Sequence, residues 1–150
     1  MPVRTLRCGP VVLATLTGET LTRVEVYLTD VIGDDPEGGT QADEMAWAFD
    51  HYGYAMNCIA AYETPCSGPL LIDWLDALAP TWRLRHPLVI AIEEPGEDAH
   101  WVAVWNESIC DSLSAGRWLP LARSEHRHAF VSHAWTITPP PLACGPVRMG

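Results

Sequence analysis

The sequence predicts an α+β fold in which N-terminal helices pack on a C-terminal antiparallel β-sheet. Apolar residues recur at helical spacing in the first half of the chain, and short β-type runs dominate the second half. Helices followed by strands, rather than an alternation of the two, are typical of α+β domains. The 150 residues suit one domain with one core, and no linker interrupts them.

The helical signals lie mostly at the starts and ends of the segments. The first helix begins near Pro10, because the missing N–H of proline is tolerated in a first helical turn, and Gly18 ends it. The second begins near Thr22, since Thr22 and Glu25 have the spacing of a capping box. Thr40 is predicted to cap the third helix. The third and fourth helices are expected over 41–52 and 69–79.

Several short segments have the composition of strands, being rich in β-branched or aromatic residues. They cover 55–60, 88–93, 100–105, 108–111, 118–121 and 129–137. Turn-forming residues predict loops over 33–40 and 63–68. The domain is therefore expected to span 1–138, followed by a Pro- and Gly-rich tail over 139–150.

The composition excludes some classes of partner. The net charge is −10 and every basic residue is an arginine, so the chain repels phosphates and is not expected to bind nucleic acid. No apolar run approaches the ~20 residues that span a bilayer, so no membrane partner is expected. The sequence lacks the pattern of a secretory signal, which predicts a cytoplasmic protein or one delivered by an untagged route. It does not indicate an oligomeric state.

One of the five cysteines has a distinctive position. An odd number without a secretory signal argues against a disulfide framework, and the absence of a C-x-x-C pair argues against structural zinc. Cys8 lies at the start of the first helix, where the positive end of the helix would lower the pKa of its thiol. Backbone N–H groups there could stabilise an oxyanion, and Gly9 would leave room for a substrate carbonyl. The alternative is that Cys8 is a small buried hydrophobic residue.

A histidine and an aspartate are predicted to meet in the second half of the chain. A hairpin between 100–105 and 108–111, closed by a two-residue turn, would place Asp111 opposite Val102. His100 is two residues further along the same face, so the Cα atoms of His100 and Asp111 would be roughly 7–8 Å apart. A three-residue turn would put this pair on opposite faces. A carboxylate that orients an imidazole is what a thiol nucleophile requires of its base.

These residues carry a resemblance to a known family. Cys8-Gly9-Pro10, the apolar helix after it and Gly18 resemble the nucleophile helix of papain-like cysteine peptidases, in particular the C39-like type and its small phage and bacterial relatives. His100, the hydrophobic strand residues after it and Asp111 resemble the later part of that pattern. The matching segments are 8–18 and 100–112. The resemblance implies a papain-like fold, no cofactor, and a protein or peptide substrate attacked by Cys8, with His100 as base and Asp111 orienting it.

The chain departs from that family at one point. These peptidases have a glutamine shortly before the cysteine as an oxyanion donor, and Pro2 stands at the equivalent position. Gln41 is the only glutamine, and nothing in the sequence places it near Cys8. The alternative interpretation is therefore a weak or inactive papain-like scaffold that binds or inhibits another protein. The further candidates are Gly9, Trp101 and Trp118 for the oxyanion site or substrate groove, and Asn106 as an alternative third member of the triad.

Other clusters give weaker predictions. The acids at 93–94 and 97–98 directly precede His100 and could favour a cationic substrate, although such acids are most often a solvated face. His126, His128 and His133 could form a metal site, but no carboxylate or cysteine has clear ligand spacing with them, so no metal is expected. Packing in the core is the expectation for most of the tryptophans, including Trp47, Trp74, Trp101 and Trp105.

Overall fold

The computed structural model describes residues 7–33, 39–78 and 86–139, and it confirms the α+β class. The α-helices in these ranges are α1 (Cys8–Thr17), α2 (Leu21–Val26), α3 (Ala42–His51) and α4 (Leu71–Ala77). A π-helical segment, Tyr27–Ile32, continues directly from α2. No helix in the described ranges is long and apolar enough to cross a membrane.

The described strands form one six-stranded antiparallel sheet. They are β1 (Ala55–Ala61), β2 (Leu88–Glu93), β3 (His100–Trp105), β4 (Ser108–Cys110), β5 (Leu119–Pro120) and β6 (Phe130–Thr138). The order across the sheet is β1-β6-β2-β3-β4-β5, so the last strand lies between the first and the second. Two 3₁₀ turns, Leu121–Arg123 and Glu125–His128, connect β5 to β6.

The sheet separates two hydrophobic cores. Trp101 and Ala103 of β3 pack with α1, α2 and α3 on one face, and Val102 and Val104 pack with α4 on the other. The predicted packing of N-terminal helices on the sheet is thus correct for α1–α3, whereas α4 covers the opposite face. The apolar residues of β2 form a continuous run, which is typical of a strand that is covered on both faces.

The first helix differs slightly from its prediction. It begins at Cys8 rather than at Pro10, with Arg7 as the N-cap, so Pro10 is the third helical residue. Proline is tolerated there because the first-turn N–H groups have no partner within the helix. The predicted end is correct, since Gly18 adopts a left-handed φ of 76° at the C-cap.

Two other predicted helix caps are wrong by one or two residues. Thr20 caps α2 instead of Thr22, because its extended backbone lets its hydroxyl accept the N–H of Arg23 at 3.2 Å. Gln41 is the N-cap of α3, while Thr40 is buried. The predicted strands are all present with ends shifted by at most two residues. Predictions that fall on 34–38, 79–85 and 140–150, including most of the C-terminal tail, lie outside the described residues.

The register predicted for the β3–β4 hairpin is confirmed. Trp105 pairs with Ser108 and Ala103 with Cys110, so the turn consists of two residues, 106 and 107. Asn106 has a left-handed φ of 58°, which two-residue hairpin turns require and which asparagine tolerates.

The predicted burial of the tryptophans is correct for two of the four that were expected in the core. Trp74 and Trp101 are buried as predicted. Trp47 is 55% exposed and Trp105 is 47% exposed, so those predictions are wrong. Trp47 lies on the outward side of α3, and Trp105 lies next to the hairpin turn, where its ring meets that of Trp118 at 6.5 Å.

Candidate active site

The thiol of Cys8 lies at the N-terminus of α1, where the helix packs against β3. Its Sγ accepts a hydrogen bond from the backbone N–H of Trp101 at 3.5 Å. The backbone N–H of Gly9 and the imidazole of His100 are close enough to lower the pKa of this thiol. A sulfur that is partly buried among N–H groups in this way is stabilised as the thiolate.

His100 is the first residue of β3, and it connects Cys8 to Asp111. Its Nε2 lies 2.7 Å from Oδ2 of Asp111, and the same ring interacts with the Cys8 thiol. The diagonal pairing of His100 with Asp111 follows from the confirmed hairpin register. The structure therefore places His100 against Asp111, and the Cys8 thiol lies near the same imidazole.

The interactions of these groups change their pKa values in a consistent direction. Burial raises the pKa of the Cys8 thiol, but the hydrogen bonds and positive charge of His100 and the N–H of Trp101 outweigh it and lower the pKa below its usual value. Burial lowers the pKa of His100, but its hydrogen bond to Asp111 and its interaction with the Cys8 thiol outweigh burial and raise the pKa to about 9. These shifts favour a thiolate next to an imidazolium.

Asp111 is held by its own turn. Its Oδ1 accepts the backbone N–H of Ser114 at 3.1 Å, and the Ser114 hydroxyl accepts the backbone N–H of Asp111 at 3.2 Å. The same hydroxyl donates to the carbonyl of Arg117 at 2.7 Å. Burial raises the pKa of Asp111, but its hydrogen bonds with His100, His126 and the Ser114 backbone outweigh it and hold the pKa well below its ordinary value. The carboxylate therefore stays charged and oriented toward His100.

A second histidine contacts the same carboxylate oxygen. The Nε2 of His126 lies 2.6 Å from Oδ2 of Asp111, and the His126 ring is centred 5.0 Å from that of His100. His126 is buried on the 3₁₀ turn after Ser124, whose hydroxyl accepts its backbone N–H at 3.0 Å. Sequence reasoning missed this role, because no local pattern relates a turn between β5 and β6 to the β3–β4 hairpin. The serine two residues before His126 indicates a turn, but it does not indicate that the turn lies against Asp111.

The candidate role of Gly9 is corrected by the structure. Gly9 is buried, and a Cβ at this position would lie 2.6 Å from Oγ1 and 2.7 Å from Cβ of Thr40. Gly9 therefore admits Thr40 rather than a substrate carbonyl. The carbonyl of Thr40 accepts the indole N–H of Trp101 at 2.8 Å, so Thr40 ties the start of α1 to β3. Thr40 was predicted to cap α3, and no pattern in the sequence indicates this contact.

Two other predicted candidates lie away from Cys8. Trp118 lines a small surface pocket together with Trp105, Asn106 and Ser108. That pocket is at the turn end of the hairpin, whereas His100 is at the opposite end of β3. Asn106 is six residues from His100 along an extended strand, so their Cα atoms are roughly 20 Å apart. Neither Trp118 nor Asn106 can contact Cys8 or His100 from there.

Two cavities meet at Cys8 and His100. The first has a volume of about 720 Å³ and is lined on its acidic side by Glu94, Glu97, Asp98 and Glu125. The second has a volume of about 600 Å³ and is lined by the carboxylates of Glu93 and Asp98 and by polar and aromatic residues. Those include Gln41, Thr40, Trp101, His133 and Trp135. Because both cavities include Cys8, a substrate could extend to either side of the thiol.

The residues that could hold a metal differ from the predicted set. Ligand atoms of His100, Asp111 and His126 lie within 4.8 Å of one another. The two Nε2 atoms are 2.7 and 2.6 Å from one carboxylate oxygen, which are hydrogen-bond distances. Of the set predicted from the sequence, His128 is exposed and His133 stacks on Trp135. The described residues do not bring these two to the cluster that contains His126.

Comparison with known proteins does not add to this geometry. No known protein family matches the chain, and no curated protein matches it either.

Proposed function

We propose that this protein is a thiol-dependent acyl-transfer hydrolase, a cysteine peptidase or amide hydrolase of papain-like type. The observation that carries the proposal is the contact of Cys8, at a helix N-terminus, with an imidazole whose Nε2 is bound by Asp111. A nucleophile on the first turn of a helix that faces a histidine at the start of a strand supports the papain-like assignment. We propose further that the fold is papain-like and that the protein is related to the C39-like peptidases.

The reaction begins at the sulfur of Cys8. The thiolate attacks the carbonyl carbon of an amide, and the new C–S bond places negative charge on the carbonyl oxygen. The imidazolium of His100 donates its proton to the leaving nitrogen as the C–N bond breaks, which leaves a thioester. His100 then takes a proton from water, and the resulting attack breaks the C–S bond and releases the acid and the thiol.

Donors for the oxyanion are available on both sides of the thiol. The backbone N–H of Cys8 is the first of α1, and such N–H groups have no acceptor within their helix. Gln41 lines the second cavity with Cys8, although it follows the cysteine in the chain rather than preceding it. Its side-chain amide is the candidate for the role that Pro2 cannot fill.

The test compares the reactivity of two thiols in one molecule. Iodoacetamide at about pH 6 should modify Cys8 well before Cys58, which is exposed on β1 and serves as the internal reference. His100→Ala should remove this preference. An activated ester should acylate Cys8 in a burst that mass spectrometry locates. Equal, slow modification of both thiols in the wild-type protein would refute the proposal.

The second candidate function is a papain-like scaffold that binds a protein without turning over a substrate. The observation that favours it is Pro2 at the position of the family's glutamine. Preferential alkylation of Cys8 without any acylation would support the scaffold. Acylation followed by release of the acid would support the hydrolase.

A further inference from the structure

The cavity on the acidic side of Cys8 is lined by an excess of negatively charged groups. Its described lining contains four carboxylates and no arginine, and the chain contains no lysine. The carboxylates are those of Glu94, Glu97, Asp98 and Glu125. Acidic residues alone do not make a binding site, because water solvates them well. A second feature of the same cavity indicates what it binds.

A buried imidazole nitrogen in this cavity lacks a hydrogen-bond partner among the described residues. His126 is 8% exposed and its Nδ1 makes no hydrogen bond there. Its Nε2 must carry a proton, because it faces a carboxylate oxygen of Asp111, which only accepts. In the neutral ring Nδ1 is then an acceptor. A buried polar atom without a partner is unfavourable, so a ligand that donates a hydrogen bond to Nδ1 is favoured.

A carboxylate near this nitrogen is also an acceptor. Oε1 of Glu94 lies 4.0 Å from Nδ1 of His126, which is too far for a direct hydrogen bond. Two acceptors at this spacing can share one donor group placed between them. An ammonium or guanidinium group has several N–H donors and no acceptor, and it carries the charge that the four carboxylates favour.

The walls of the cavity suit the rest of such a side chain. Ile92 and Leu113 line it together with Cys8 and His100. Their apolar surfaces can cover the methylene groups of a lysine or arginine while the charged end reaches Glu94. We therefore infer that the cavity between Cys8 and His126 is a specificity pocket for a basic side chain, lysine or arginine, next to the amide that is cleaved. This inference rests on the proposed function, since it names the substrate of the same site.

The first experiment measures the electrostatics of the cavity without requiring turnover. Cys8 is treated with two methanethiosulfonates, one bearing an aminoethyl group and the other a sulfonatoethyl group, and each rate is divided by that of exposed Cys58. The cationic reagent should be favoured at Cys8 by about tenfold or more. Glu94→Gln should reduce the ratio several-fold. Asp76→Asn makes the same change of charge at an exposed position of α4, and it should leave the ratio unchanged. A ratio at Cys8 no greater than at Cys58 would overturn the inference.

The second experiment tests recognition of the side chain itself. Peptides with arginine, lysine, citrulline, norleucine or glutamate on either side of the cleaved amide are compared by kcat/KM. Citrulline is the control for arginine, because it keeps the shape and loses the charge. Arginine or lysine should be preferred by about tenfold over citrulline and norleucine, and Glu94→Gln should remove most of that preference. Equal kcat/KM values for arginine and citrulline would overturn the inference.

The two proposals fail in different ways. If Cys8 is acylated and hydrolyses neutral peptides as fast as basic ones, the hydrolase stands and the basic specificity is wrong. If Cys8 shows no selective alkylation and no acylation, the hydrolase is wrong. In that case a cation-to-anion ratio at Cys8 equal to that at Cys58 also refutes a cation-binding cavity.

Discussion

One carboxylate oxygen of Asp111 accepts hydrogen bonds from two imidazoles. This arrangement determines where the protons of both histidines lie. Oδ2 is 2.7 Å from His100 and 2.6 Å from His126, so both Nε2 atoms must be donors. The proton on Nε2 of His100 fixes its tautomer and leaves the other nitrogen to exchange a proton with the thiol of Cys8. A carboxylate in this position thus serves the base directly and holds the second histidine in place.

The pH dependence of the reaction follows from the pKa shifts of Cys8 and His100. The lowered pKa of Cys8 allows the thiolate to form below the ordinary thiol range, and the raised pKa of His100, about 9, keeps the imidazolium up to that pH. We expect kcat/KM to rise at a pH below the ordinary thiol range and to fall near pH 9. Asp111→Asn should move the fall in kcat/KM to lower pH, because it removes the charge that raises the pKa of His100. Alkylation of wild-type Cys8 that follows an ordinary thiol titration would contradict this.

Replacing the second histidine should destabilise the fold. His126→Ala removes a buried hydrogen bond to a charged group, so we expect the free energy of unfolding in urea to fall by about 1.5–3 kcal/mol. His128→Ala is the matched control, because His128 is exposed on the same turn, and its effect should stay within about 0.5 kcal/mol. Equal effects of the two substitutions would show that the contact of His126 with Asp111 contributes little.

The contrast between His100 and His126 shows what a sequence can predict at this scale. The proximity of His100 to Asp111 follows from the register of one hairpin, because its two-residue turn determines which residues pair. The approach of His126 depends on how the segment between β5 and β6 folds back over the sheet. The path of that segment depends on packing between distant parts of the chain, and no periodicity or spacing in the sequence predicts it.

At the scale of elements, the start of α1 depends on one close contact. Gly9→Ala would place a Cβ 2.6 Å from the Thr40 hydroxyl, and we expect this overpacking to cost about 1–3 kcal/mol of unfolding free energy. Adding Thr40→Gly removes both crowded atoms, so the double variant should show favourable coupling between the two changes. Gly39→Ala is the control, because nothing lies within 4 Å of a Cβ there. Additive losses from Gly9→Ala and Thr40→Gly would contradict the contact.

The hairpin turn provides a separate test of the alternative triad member. Asn106 has a left-handed φ of 58°, which glycine adopts freely, so Asn106→Gly should preserve the melting temperature. Asn106→Val should lower stability by about 1–3 kcal/mol, because a β-branched residue is strained there. The preferential alkylation of Cys8 at pH 6 should be unchanged in Asn106→Gly. Loss of that preference would support Asn106 as the third member of the proposed triad.

Helices and strands were predicted better than the residues that cap them. The ends of β2 and β3 follow from their apolar runs, and both match the structure. The caps of α2 and α3 were displaced, because several neighbouring polar residues can each accept an N–H and the backbone angles choose among them. Thr40 illustrates the ambiguity, since a hydroxyl suited to a cap is instead buried against Gly9.

At the scale of the whole molecule, the acidic composition should weaken the folded state. A net charge of −10 causes repulsion among carboxylates, and salt screens it. We expect the melting temperature, measured by circular dichroism, to rise as sodium chloride is increased from low concentration to about 0.3 M, where the screening length is below ~8 Å. A fall in melting temperature would show that favourable ion pairs outweigh the repulsion.

The order of strands in the sheet was beyond the reach of the sequence. Each strand was recognisable from its own residues, but β6 pairs with both β1 and β2, which lie far from it in the chain. Pairings of this kind depend on long-range packing. The placement of α4 on the opposite face from α1–α3 has the same origin, although the continuous apolar run of β2 indicates that both faces are covered.

The central position of β6 has a consequence for biosynthesis. A ribosome makes β6 after the other described strands. β1 and β2 therefore cannot pair with β6, which lies between them, until residue 138 has been added. Until then the nascent chain has unpaired strand edges and an incomplete sheet behind the thiol. Cys8, His100 and Asp111 therefore gain a complete sheet behind them only after β6 has been made.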